Sequence, residues 1–530
     1  MKTSSISRPE AHASKDSRVK SAPRALIVAA GLAFLALWQV TLVEDRLSVP
    51  FLDTRLHYFW DNAFTSFNAR SGNRIADLRC QFGTTMAEYV RWGEPAGRPR
   101  HYTDHPFLIQ AIGQQAARLI GTSEMASRSF SLLVSFGIAA GLFFLVIQTT
   151  SSAFAAMAAG LVLVSLPVFS TFQVSAKNEL NGMLLGVWQF VALVACLRSE
   201  TPRARTTHTI LTALTFFAHW TAALCAGVAG VFLAVRFWRH RDEPTRRALI
   251  STLAGGTAGL ALLASLTAFV QGGFREAWAP LAESFSRRSQ AVPLQEWAAR
   301  QRLYLGVNFG WTFLAAVLGM ALLLAGRWIS RRREGQEGPE GLLPVFIVAS
   351  AFTACAWLLL FRQGSFIHVY WQLWLALPGS ALAAAFVASL RGRRRMQVLA
   401  GLSGLLLCLH LRRLSAESYE DILRVQLGTV EDIEFLKSLR QDRFKRMVFV
   451  PLTEDPLNEW FQGPLFEYYT DRPVAILDPE ETPPKSGEKL LVLKCEERLQ
   501  ALPELESRFG LRLTNETCGP RFCAYDVRER

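Results

Sequence analysis

The sequence predicts a polytopic α-helical membrane protein with a small C-terminal α/β soluble unit. Three observations carry that fold class. Half of the 530 residues are hydrophobic, with 36 Phe and 14 Trp, and mean hydropathy is +0.19, a composition that fits a membrane protein with room for an added soluble unit. Apolar segments long enough to cross a bilayer recur between Ala25 and His410, divided by short arginine-rich runs. From about Ser415 the pattern changes to short apolar strands separated by helical stretches.

The net charge of +13 is concentrated in four runs, Arg198–Arg205, Arg236–Arg247, Arg327–Arg333 and Arg391–Arg395. Basic residues between apolar segments bias insertion and mark cytoplasmic loops. That placement excludes a nucleic-acid reading. The eight cysteines show no CxxC and no zinc-like Cys/His spacing. Cys518 and Cys523 flank Gly519-Pro520, a turn that suits a disulfide in an oxidising compartment, with Cys495 and Cys80 as competing partners.

In chain order, residues 1–23 read as a disordered cytoplasmic tail and 24–414 as the transmembrane module. Ala25 to Val43 has the length of a first span and ends without a cleavage motif, so it reads as an anchor. A polar loop over 44–125 follows, with Asp53, Asp61, Asp77, Glu88 and Glu94 and the run His101 to Phe107. Ala126 to Gln148, Ser152 to Ser170 and Asn181 to Leu197 are the next spans. Thr209 to Val235 lies between two basic runs, so an even number of crossings must fit there. Two short helices broken near His219-Trp220 satisfy that count, sheltered by neighbouring protein.

Ala248 to Val270, Leu305 to Gly326, Leu342 to Leu360, Tyr370 to Leu390 and Val398 to His410 complete about 11 spans. The N-terminus is then cytoplasmic and the C-terminus outside. Gln271 to Leu303 reads as a polar outer connection, and Gly255 and Gly259 have the spacing that lets helices approach closely. The remainder, 415–530, reads as an extracytoplasmic α/β unit. A capped helix lies over Thr429–Leu439, strands at Met447–Val450, Ala475–Leu477 and Leu490–Leu493, and helices at Leu457–Tyr469 and Glu496–Phe509. It has no glycine-rich phosphate loop, and binding or capping is its expected role.

The run Asp104-His105-Pro106-Phe107-Leu108, followed by Ile120-Gly121-Thr122-Ser123-Glu124 through Arg128, resembles the GT-C membrane glycosyltransferases, in particular the protein mannosyltransferase and aminoarabinose transferase group. The likeness covers about the first 130 residues, with Phe107 in place of a second proline. It implies a sugar transferred from a polyprenyl-phosphate donor to a glycan, lipid or protein acceptor on the extracytoplasmic face of a bacterial inner membrane. It also implies a first-loop carboxylate. Within Tyr58 to Arg70, Asp61 is the best match, Asp53 the second choice, and Asp104 a further catalytic candidate.

The chemistry asks for such groups. A phosphate-linked sugar carries its own leaving group, so the acceptor hydroxyl is what needs a general base. Negative charge gathering on the departing phosphate needs cations or donors. His105, Arg70 and Arg128 suit that task in the opening stretch, and Arg362 and His368 in the later segment Arg362–Trp371, where Tyr370 or Trp371 suits stacking on a sugar ring or a place in the interfacial aromatic belt. Arg287 and Arg288 are further candidates for the lipid phosphate. His219 reads more simply as an interior histidine, and Lys177 with Glu179 as an ion pair or a lysine snorkelling to the interface. The carboxylates leave a divalent cation open. The rivals are a transporter or lipid flippase, which favours internal repeats and midplane sites, and a non-catalytic receptor or assembly protein.

Overall fold

The structure, a computed structural model, describes residues 22–47, 108–175, 177–199, 201–333, 341–424, 430–450, 463–472, 474–477, 484–493, 499–520 and 522–529. Asp53, Asp61, Arg70, Asp104 and His105, together with Cys80 and Cys495, lie outside them.

The chain is a helical bundle joined to a five-stranded sheet. The first bundle helix, α1 (Ala22–Thr41), precedes the loop. Then come α2 (Leu108–Ile120), α3 (Glu124–Thr150), α4 (Ala153–Ser165), α5 (Pro167–Phe172) and α6 (Asn178–Arg198). The expected span Ser152–Ser170 is broken at Leu166, where Pro167 cannot continue the preceding helix and starts the next. Two helices fill the next interval, α7 (Pro202–Ala218) and α8 (Trp220–His240), separated at His219 as expected. They are longer than expected, because Thr201 and Pro202 start α7 inside the first basic run and α8 extends into the second.

Next are α9 (Glu243–Gln271), α10 (Phe274–Arg288), α11 (Leu294–Phe309), α12 (Trp311–Arg333), α13 (Leu342–Leu360) and α14 (Arg362–Ile367). The connection read as polar is thus helical. The expected span Leu305–Gly326 is bent by 92° between α11 and α12. Gly310, at φ +72°, makes that break, and a Cβ there would stand 2.7 Å from Leu414 Cδ1. A 3₁₀ segment, Val369–Leu375, leads into α15 (Ala376–Ser389). The last bundle helix, α16 (Arg394–Arg424), runs past Ser415, so the expected domain boundary falls inside a continuous helix.

Among the described residues, seven helices are long and apolar enough to cross a membrane, and the bent pair makes eight. Two shorter apolar helices, Ala25–Thr41 and Ala153–Ser165, fall below that length. Length and composition therefore do not reach the expected count of about 11. Exposed Leu253, Leu260, Leu322, Val348, Phe352 and Leu402 give the bundle an apolar outside, as lipid requires.

One helix contact was legible in advance. A Cβ at Gly255 would stand 2.5 Å from the Thr209 carbonyl oxygen, and one at Gly259 would stand 2.4 Å from that of Ala213. Only glycine lets α9 lie so close to α7.

After α17 (Val430–Ser438) come β1 (Met447–Phe449), α18 (Gly463–Thr470), β2 (Val474–Ile476), β3 (Lys489–Leu493), α19 (Leu502–Phe509), β4 (Leu511–Cys518) and β5 (Phe522–Glu529). The order is β2-β1-β3-β5-β4, with β1 parallel to both neighbours and β5 antiparallel to β3 and β4. The β4–β5 hairpin was not expected. Its first strand, Leu511–Cys518, is mostly exposed and carries charged and polar residues, so it lacks the apolar run that marks β1 and β3. Cys518 and Cys523 are disulfide-bonded across its turn.

Candidate active site

The described site candidates meet at one end of the bundle, around α14 and the 3₁₀ segment. Irregular backbone at membrane depth needs partners for its carbonyls, and α11 supplies them from a single face. Trp297, Gln301, Tyr304 and Asn308 recur at helical spacing. Trp297 Nε1 donates to Ser365 Oγ at 2.8 Å, Gln301 Nε2 to the Ser365 carbonyl at 2.8 Å, and Tyr304 to that of Phe366 at 2.9 Å. Asn308 Nδ2 donates to the Val369 carbonyl at 2.9 Å and to Gln372 Oε1 at 3.0 Å, and Gln372 Nε2 donates to Gln301 Oε1 at 2.9 Å. Reading 271–303 as a connection hid this stripe.

The network presents His368 and Tyr370. The half-buried His368 ring lies 5.2 Å from Tyr370 and 5.5 Å from Trp371, centroid to centroid. Trp371 seats against Gly364, where a Cβ would stand 2.1 Å from its ring. The Arg288 guanidinium lies 5.7 Å from the Trp371 centroid, within cation–π range. Arg362 is tied elsewhere, donating to the Val292 carbonyl at 3.2 Å. That contact fastens α14 to the start of α11.

Lys177 is the residue sequence reasoning underrated. It is 1% exposed, with its ammonium 4.2 Å from the Tyr370 ring centroid. A snorkelling lysine would reach solvent, so that reading is overturned. Glu179, two residues on, is 2% exposed. Placing an ammonium there carries a large desolvation cost, which partners or a ligand must offset. Phe172 closes the other side of Tyr370, with ring centroids 5.6 Å apart.

His219 is also fully buried. Its Nδ1 accepts the Thr221 N–H at 3.2 Å as the cap of α8, and its ring lies 5.7 Å from Trp357. A Cβ at Gly182 would stand 2.9 Å from His219 Cβ, so α6 packs directly on this break. The interior-histidine reading holds for it.

The residues framing the first loop are anchored to the same bundle. Arg46, buried just before the loop, donates to the Ser170 carbonyl at 3.2 Å. Arg128, fully buried on α3, donates to the Leu47 carbonyl at 3.3 Å. Arg128 therefore holds backbone where the first loop departs. For a divalent cation, the metal-like cluster among the described residues is Glu516 with Cys518 and Cys523, and disulfide bonding removes both thiols as ligands.

No protein-family model matches the chain, and no curated protein matches it. Solved structures do. ArnT from Cupriavidus metallidurans bound to undecaprenyl phosphate superposes with a TM-score of 0.56 at 12% identity, over 95% of this chain and 98% of that one. Its apo state gives 0.55 at 13% identity, over 96% and 98%. The chain shares the fold of these structures. The apo oligosaccharyltransferase of Archaeoglobus fulgidus shares it more partially, with a TM-score of 0.51 at 12% identity over 86% of this chain and 65% of that one. The fold class expected from the sequence is the one observed, and the protein is an integral membrane protein.

Proposed function

We propose that the protein is a membrane glycosyltransferase that moves a sugar from a polyprenyl-phosphate donor to a cell-envelope acceptor on the extracytoplasmic face of a bacterial inner membrane. One observation carries the reading. Nearly the whole chain shares its fold with an ArnT structure that holds undecaprenyl phosphate, a lipid carrying the phosphate such a donor leaves behind.

In this reading Asp61 is the general base that takes the acceptor proton, with Asp53 the second choice and Asp104 a further catalytic carboxylate. Attack on the anomeric carbon breaks its bond to the phosphate oxygen, and the phosphate leaves on the lipid. Lys177 and Arg288, with His105 and Arg70 of the first loop, offset the charge gathering there. His368 donates a hydrogen bond, and Tyr370 and Trp371 offer ring faces to sugar or lipid. Arg362 acts through the fold, by holding α14. The N-terminus is cytoplasmic and the sheet unit extracytoplasmic.

The test is transfer by the purified full chain, in lipid vesicles, from labelled undecaprenyl-phosphate sugars with acceptor lipid or glycan supplied. Wild type turns over at least one donor, and Asp61→Asn loses about 10²–10⁴-fold, the range for a positioned base. Equal turnover by the two proteins defeats the assignment of the base.

A further inference from the structure

Glu124 is the first residue of α3, inside the run from Gly121 to Arg128 that carries the family resemblance. The turn before it is fixed by its own backbone. Gly121, at φ +107°, ends α2, and Ser123 Oγ caps α3 through the Ala126 N–H at 3.3 Å. The Glu124 carboxylate then meets two adjacent tyrosines from the far end of the chain. The Tyr468 hydroxyl donates to the Thr122 carbonyl at 2.9 Å and lies 3.3 Å from Glu124 Oε2, and the Tyr469 hydroxyl lies 3.2 Å from Glu124 Oε1.

The tyrosines are themselves held in place. Tyr468 is 3% and Tyr469 0% exposed, and their rings pack edge-on at 5.0 Å. Arg440 donates to both their carbonyls, at 3.0 Å from Nη2 to that of Tyr468 and from Nε to that of Tyr469. Lys437 Nζ stands 5.9 Å from the Tyr469 centroid. One turn along α3, Arg128 holds the Leu47 carbonyl where the first loop departs. A single helical turn therefore grips the chain before the loop with one residue and the sheet unit with another. Burial alone would be served by phenylalanine at both positions, whereas two hydroxyls aimed at one carboxylate fix orientation as well.

We propose that Glu124 and the Tyr468–Tyr469 pair form an interdomain clamp that positions the C-terminal unit on the bundle end bearing the candidate site, making that unit a working part of the site. The three are positioning residues. The mechanical half of the proposal stands independently, and the catalytic half rests on the transferase reading. It also gives the run Gly121–Arg128 a task, which is to join loop, bundle and sheet unit.

Hydrogen exchange read by mass spectrometry on the full chain in vesicles, alongside transfer kinetics, tests both halves. In the Tyr468→Phe/Tyr469→Phe variant, exchange rises at least tenfold in Leu108–Ile120 and Gly463–Thr470, while β3 and β5 keep wild-type protection, which reports an intact fold. The kcat for transfer falls at least fivefold, with KM for the lipid donor within twofold. Glu124→Ala matches the double variant, and Glu124→Gln, which keeps one carbonyl acceptor, falls between. Unchanged exchange in Gly463–Thr470 overturns the clamp. Raised exchange with unchanged kcat overturns the role of the C-terminal unit in the site. Raised exchange in a protein whose wild type turns over no donor overturns the transferase reading and supports the clamp.

Discussion

The two ends of the bundle handle charge in opposite ways. At the end rich in basic runs, arginines lie at the surface and pair loosely or locally. Arg246 and Arg247 both reach Glu243 at 2.7 Å from exposed or half-exposed positions, and Arg236 stands 3.8 Å from Asp242. Exposed pairs of this kind contribute about 0–1 kcal/mol. In the proposed orientation their task lies at insertion, where basic loops bias topology. At the other end, Lys177, Gln301, Asn308 and Gln372 are buried, and the amides are bonded to one another and to the 3₁₀ segment. Buried polar groups are costly unless matched, so a chain that gathers them has a use for them. The difference teaches which of the many cations to pursue. In the proposed topology the exposed arginines bias orientation, while of the buried cations Arg46 and Arg128 hold backbone carbonyls and Lys177 lies against the Tyr370 ring of the candidate site.

Substitutions at the two ends should therefore differ by orders of magnitude. Lys177→Ala is expected to lower transfer about 10²–10³-fold, the size of losing one donor to a developing anion, with thermal stability retained. Activity near wild type would make Lys177 a packing residue. Between the two ends, Gly259→Leu drives a side chain into the Ala213 carbonyl and is expected to cost about 1–3 kcal/mol, read as a lower unfolding temperature in detergent. Arg246→Gln, at the opposite end, is expected to change stability by less than about 0.5 kcal/mol and to leave transfer unaltered. A large loss there would erase the contrast between the ends.

The sheet unit adds a pH dependence of its own. Lys489 Nζ lies 2.7 Å from Asp526 and 3.0 Å from Asp442. Burial pulls the Lys489 pKa down, and the hydrogen bonds to Asp526 and Asp442 outweigh it, leaving the group above its ordinary value. Burial pushes Asp526 up, and the bonds from Lys489 and Asn515 outweigh that, leaving it below. Stabilisation from the raised lysine is complete below its unfolded pKa, about 10.4, and is lost as pH rises through the folded value. Stabilisation from the lowered carboxyl is complete above about 3.9 and is lost as pH falls through the folded value. The sheet unit should be most resistant to denaturation between those limits, and Lys489→Met should flatten the profile. Measuring the unfolding midpoint of the unit against pH checks this.

Much of the fold was legible because its signals are local. Apolar runs gave most bundle helices, His219 marked a real break, Gly255 and Gly259 a real close approach, and Met447 and Leu490 central parallel strands. What escaped notice depends on distant partners. The α11 stripe makes sense only against the carbonyls of 365–369, some 60–70 residues away. Gly310, at φ +72°, breaks a segment that hydropathy reads as continuous, and Leu414 of the last bundle helix occupies the space a side chain there would need. Lys177 looked like half of an ion pair or a snorkelling residue because nothing in its sequence neighbourhood reveals the ring of Tyr370. The first-loop carboxylates rest on sequence resemblance and chemistry, and the later cluster rests on geometry.

The account therefore turns on whether a loop carboxylate and that cluster serve one reaction. The most direct measurement is single-turnover transfer from labelled undecaprenyl-phosphate sugars by wild type, Asp61→Asn, Lys177→Ala and the double variant, with acceptor supplied. The account predicts release of undecaprenyl phosphate by wild type and severe loss in each single variant. It also predicts a double variant much less impaired than the product of the two losses, as groups acting in one step require. Full activity in Asp61→Asn, or no turnover of any donor by wild type, would contradict it.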